Sequence, residues 1–166
     1  MQRRLLAIYL NDHYAGAMVG VEDARRSRNS NRENEFGSFL EVLVEEVESD
    51  RRALRAVIEE QGIRVNRVKQ AAAWVSEKLG RAKPNGRLTG YSPLSRLVEL
   101  EFLYLGVTGK LALWRALRDT PVAVRRVDLD ELISRAERQR SEIERFRQRA
   151  AAEALGADAR PEDLDA

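Results

Sequence analysis

Between Ser92 and Thr120 the chain carries its densest run of apolar residues. Leu94, Leu97, Val98, Leu100, Phe102, Leu103, Tyr104, Leu105, Val107, Leu111, Leu113, Trp114 and Leu117 fall at nearly every angle of a 3.6-residue period. Ser92-Pro93 predicts the helix start, because a serine oxygen accepts from a free first-turn N–H and proline has none to lose. Asp119-Thr120-Pro121 predicts its stop. A helix that is apolar all round must be covered all round, by its own domain or by a second subunit. Glu99, Glu101, Lys110 and Arg115 interrupt the run, and their cost in hydrocarbon argues against a membrane span. Gly106, Gly109, Ala112 and Ala116 recur at three- and four-residue intervals and predict a smooth strip for tight core packing.

The other segments alternate more plainly. Leu6, Leu10, His13, Ala17, Gly20 and Ala24 form a four-and-three seam over residues 3–29, and Phe36, Leu40, Leu43, Val47, Asp50, Leu54 and Val57 form another over 36–61. The polar stretch from Asn29 to Asn34 separates them, and Gly62 suits a left-handed helix cap. Asn66 predicts the start of a shorter helix to about Gly80, with Val68, Ala72, Val75 and Leu79 on one face. Asp128 and Glu131 make a capping box for a last helix with Leu129, Leu132, Ile133, Ala136, Ile143, Phe146 and Ala150 turned inward. The pattern thus predicts four long helices, at 3–29, 36–61, 93–118 and 129–154, in one all-α domain over residues 1–155. Residues 156–166 form an acidic tail with little to bury, expected to fray.

So short a turn between the first two helices makes them antiparallel. Matching their seams sets Ala24 beside Leu40, Ala17 beside Val47 and Leu10 beside Leu54, which brings His13 opposite Asp50. Each is the odd polar member of its seam. A buried carboxylate needs a partner, so the spacing predicts a His13–Asp50 pair that fixes the register of the hairpin, with proton handling or metal binding as the alternatives.

Composition narrows the chemistry. The chain has no cysteine, which removes thiolate metal sites, disulfides and cysteine nucleophiles and fits a reducing cytoplasm. Apolar Leu5–Leu10 follows Met1-Gln2-Arg3-Arg4 like the start of a signal peptide, but Asn11, Asp12 and His13 break it off, and it reads as first helix. The net charge of +2 conceals segregation: residues 36–62 carry −4 and residues 63–93 carry +6. Arg64, Arg67, Lys69, Arg81, Lys83 and Arg87 make the latter a basic patch for an anionic partner. Trp74 and Tyr91 lie nearby, but no aromatic is interleaved in a way that suggests base stacking, so nucleic acid is the weaker of the partner classes.

The hairpin LNDHYAGAMVGVEDARR followed by FLEVLVEEVESDRRALRAVIEEQG resembles the first hairpin of the ferritin-like superfamily, and the order of elements over residues 3–154 is similar. The resemblance implies a four-helix bundle of two antiparallel hairpins joined by a crossover, here with an added short helix. It also implies a metal centre built from carboxylates on the first and third helices and Glu-x-x-His on the second and fourth. The sequence departs from that pattern. Glu46-Val47-Glu48-Ser49 has serine, and Glu137-Arg138-Gln139-Arg140 has arginine, where histidine belongs. The sole histidine, His13, lies on the first helix. No cofactor is expected; a single metal ion held by His13, Glu46, Asp50 and Glu101 is the reduced site that the residues allow.

Other catalytic patterns are missing. One histidine and no Gly-x-Ser-x-Gly leave no nucleophile triad, and neither glycine-rich phosphate loop occurs. The leading expectation is a non-catalytic structural or protein-interaction module that self-associates, a dimer before other oligomers, through apolar surface around residues 93–118. A degenerate iron or manganese oxidase, or an iron-handling protein, centred on His13 comes second, and an anion binder through residues 64–87 third.

Overall fold

The computed structural model describes residues 2–65 and 91–156. Among them are four helices and no strand: α1 (Gln2–Ser30), α2 (Glu35–Glu60), α3 (Pro93–Arg118) and α4 (Leu129–Leu155). The short helix expected from Asn66, the basic positions from Arg67 to Arg87 and the acidic tail beyond Gly156 lie outside the described residues.

The helix ends follow their capping chemistry. Asn34 accepts from the Phe36 N–H, Ser92 from Ser95, and Asp128 from both Asp130 and Glu131, so the starts of α2, α3 and α4 are each closed by a side-chain oxygen. At the end of α2, Gly62 takes φ +62° while its N–H bonds Glu59 and that of Ile63 bonds Ile58, the paired hydrogen bonds of a Schellman cap. Gly37 is required by proximity instead: a Cβ there would run into the Asn31 carbonyl, where the α1–α2 turn folds back on the helix it starts.

Two antiparallel hairpins, α1–α2 and α3–α4, pack together with α1 beside α3 and α2 beside α4. At one end, buried Asn31 ties the α1–α2 turn to the second hairpin. Its Nδ2 donates to Tyr91 Oη at 2.8 Å, and its Oδ1 accepts from Arg96 Nε at 2.7 Å. At the other end Gln61 Nε2 donates to the Ala123 carbonyl at 2.7 Å, and the Arg125 N–H to the Glu60 carboxylate. All four neighbouring pairs are therefore antiparallel, and α2 finishes at the end opposite the one where α3 begins. α2 and α4 approach each other least closely, and the Phe36, Phe39 and Phe146 rings fill the gap near one end.

The core is continuous, with Leu10, Leu40, Ile58, Leu100, Leu111, Trp114 and Ile143 sealed from solvent. One expectation needs correction. The first helix turns Leu10, Tyr14, Val21, Ala24 and Ser27 inward, so its seam passes through Tyr14 and Val21 and not through His13 and Gly20. Tyr14 and Val21 offer more apolar surface to bury, which selects that rotation of the helix. The described residues of one chain do not by themselves cover α3 all round. Leu105 is 62% exposed, and no described atom lies within 4 Å of where a Cβ on Gly106 or Gly109 would stand, so the small-residue strip is not packed by the described residues. Among the described residues, two neighbouring helices cover two sides of α3 and leave its outward side open. No helix among the described residues is long and apolar enough to cross a membrane.

Candidate functional site

Three of the four inward seams contain one polar interruption each. In α2, Leu43, Val47, Asp50, Leu54 and Val57 alternate by four and three; in α3 the series is Leu103, Val107, Lys110, Trp114 and Leu117; in α4 it is Leu132, Ala136, Gln139, Ile143 and Phe146. A seam position points into the bundle whatever residue occupies it, so Asp50, Lys110 and Gln139 all arrive at the interior. They meet there.

Lys110 Nζ lies 2.5 Å from Asp50 Oδ2 and 2.5 Å from Gln139 Oε1. Gln139 Nε2 donates to Glu46 Oε2 at 2.8 Å and to Asp50 Oδ2 at 3.2 Å, which joins the two α2 carboxylates one turn apart. Arg135 Nη1, one turn before Gln139, stands 3.3 Å from Asp50 Oδ1 and 3.3 Å from Ser49 Oγ, and Arg138 Nη2 is 3.9 Å from Glu46. Asp50 is 2% exposed and Gln139 1%; the Lys110 and Arg135 side chains retain 15% and 16%, which sets the charged ends at the edge of the dry core. Burial pushes the Lys110 ammonium below its ordinary pKa, while Asp50 and Glu46 pull it back up and Arg135 adds to the depression. Each charge is costly to bury alone, and the oppositely charged partners and the amide offset that cost together. Asp50 Oδ1 is left with an ion-pair contact and no hydrogen bond of good geometry.

The residues singled out from sequence are dispersed. Asp50 is buried, but its partners are Lys110, Gln139 and Arg135, and His13 is not among them. The reason is the rotation of α1, which moves His13 off the inward seam. His13 is half-buried with its ring edge-on to Tyr9 at 4.6 Å, and burial lowers its pKa against the opposing pull of Asp12. Glu101 lies on the outer side of α3, 3.7 Å from Arg147. Of the proposed ligands His13, Glu46, Asp50 and Glu101, only Glu46 and Asp50 share a site. Among the described residues no group of three or more His, Cys, Asp or Glu side chains is placed to hold a metal ion. Serine and arginine stand at two of the positions where the ferritin-like pattern has histidine, and Lys110 delivers a cation among the oxygens, so these residues do not fit a di-iron group. Arg64, first of the basic patch, is exposed, and its carbonyl accepts from Asn11; Arg67, Lys69, Arg81, Lys83 and Arg87 lie outside the described residues.

Lys110, Gln139 and Arg135 were the residues that motif reading missed. A signal for two of them was present, because Lys110 and Gln139 stand in step with the apolar residues on either side, as Asp50 does. A second polar knot closes one end of the bundle. The Tyr91 hydroxyl accepts from Asn31 and donates to Glu99 Oε2 at 2.8 Å, and burial raises its pKa to about 12. The Arg96 guanidinium lies 4.4 Å above the Phe36 ring while its Nη1 reaches Glu153. Neither a protein-family model, nor a curated protein, nor a solved structure matches this chain.

Proposed function

We propose that the chain is a non-catalytic helical bundle of ferritin-like connectivity that serves as a structural or protein-interaction module. One observation carries the reading: at the midpoint of the bundle, Lys110 Nζ sits 2.5 Å from both Asp50 and Gln139 and supplies the positive charge that the acidic residues there require. The end of α2 and the start of α3 lie at opposite ends of the bundle, which supports the connectivity. The outward side of α3, with Leu105 exposed beside Gly106 and Gly109, supports self-association, and a dimer is the simplest assembly that buries it.

Elemental analysis of untagged protein, produced in medium supplemented with iron, manganese and zinc, tests the reading. The expected result is less than stoichiometric metal in the wild type and in His13→Ala alike. Stoichiometric metal lost on Asp50→Asn would refute it and bring the iron or manganese oxidase forward. Light scattering coupled to gel filtration tests the assembly: the wild type runs as a dimer and Leu105→Arg as a monomer, whereas a monomeric wild type refutes self-association.

A further inference from the structure

The midpoint cluster is arranged as cation sites are. Oxygens from two helices converge on one positive centre: Asp50 Oδ2 from α2 and Gln139 Oε1 from α4, each 2.5 Å from Lys110 Nζ, with Glu46 held one turn away by Gln139 Nε2. Asp50 Oδ1, buried and without a hydrogen bond of good geometry, is held in an ion pair by Arg135 Nη1 at 3.3 Å. Lys110 reaches these oxygens on a flexible four-carbon stem from α3, and only its far end is charged. The stem and the charge are therefore separable requirements.

We infer that the centre of the bundle is a binding site for a small primary ammonium ion, filled by the chain's own Lys110. The charge and its three N–H donors are what the site selects, and the covalent tether is dispensable. Truncating Lys110 to alanine removes a propylammonium-sized fragment. It leaves Asp50, Gln139 and Glu46 around a space of that shape, with Arg135 and Arg138 as the remaining cations nearby. The inference concerns this site alone and does not rest on the chain's being an interaction module.

The test is chemical rescue of full-length Lys110→Ala by n-propylammonium chloride, followed by urea denaturation at constant ionic strength. A ligand that binds only the folded state raises the folding equilibrium constant about 11-fold at ten times its dissociation constant. The expected result is saturable stabilisation of Lys110→Ala that is absent from the wild type and from Lys110→Ala/Asp50→Asn, and that tetramethylammonium, which has no N–H, does not reproduce. No saturable effect, or the same effect from tetramethylammonium, overturns the inference. Stabilisation by manganese(II) in place of propylammonium overturns the ligand class. Should Lys110→Ala not fold, Lys110→Cys keeps the question answerable, because the chain has no other thiol. Alkylation in urea with 2-bromoethylamine rebuilds a charged side chain of lysine length, and iodoacetamide builds a neutral one of similar size. Refolding of the aminoethylated protein alone is expected, and equal refolding of both adducts overturns the inference.

Discussion

Lys110→Met removes the ammonium and keeps most of the stem, so its effect isolates the charge at the centre of the bundle. Asp50, 2% exposed, would keep its carboxylate with Gln139 Nε2 at 3.2 Å and Arg135 Nη1 at 3.3 Å as its remaining partners. Breaking a buried pair by removing one member costs about 3–5 kcal/mol. The 15% exposure of the Lys110 side chain and the nearby Arg135 place this case at the low end, about 3 kcal/mol, or about 6–12 °C in Tm for a chain of this size. Urea denaturation followed by far-UV circular dichroism measures it, with the m-value checking that the transition stays two-state. Asp50→Leu/Lys110→Met removes both charges and is expected to cost less than Lys110→Met alone, because an apolar pair leaves no stranded carboxylate. A Lys110→Met variant within about 0.5 kcal/mol of wild type, the range of ordinary surface changes, would refute the reasoning.

The sole histidine gives a clean pH experiment. Burial lowers the His13 pKa in the folded state, so the fold favours the neutral ring; its contribution is complete above about pH 6.5 and is lost as pH falls through the folded value. The urea midpoint should therefore fall between about pH 7.5 and about pH 5, and fall less in His13→Gln; a His13–Asp50 ion pair would reverse the sign. Gly37→Ala should cost about 1–3 kcal/mol in a thermal melt, because the new methyl meets the backbone carbonyl of Asn31 and not a side chain that could swing away. A cost below about 0.5 kcal/mol would show that the turn yields.

Much of the fold was legible because helix seams and caps are local. Ser92-Pro93, Asp128 and Gly62 mark helix ends through hydrogen bonds made within a few residues, and the structure places those ends accordingly. The rotation of α1 was not legible. Residues 6, 10, 13, 17, 20, 24 and residues 10, 14, 17, 21, 24 are both four-and-three series, and choosing between them takes the partner surface. The same choice decided the site. Asp50 stands out in sequence as an odd polar residue on an apolar seam, but the helix next in sequence does not supply its partner; Lys110 and Gln139 come from 60 and 89 positions away. Lys110 interrupts an apolar run, which argues against lipid, and its phase relative to Val107 and Trp114 places it on the inward seam.

The midpoint cluster also bears on how the chain finds this arrangement. Each hairpin closes a short loop and forms from local contacts, whereas Asp50 meets Lys110 only when the hairpins dock, and long-range closure carries the larger entropic cost. Asp50 belongs to one hairpin, and Lys110 with its Gln139 partner to the other, so each hairpin taken alone would carry a charge on its apolar side without its opposite. Apolar seams alone tolerate a slip of one heptad, because leucine meets leucine again. A slipped encounter here would press a bare charge against a greasy wall and come apart. The cluster thus favours the register in which the two halves meet in step over one displaced by a heptad, which would bury its charges unpaired.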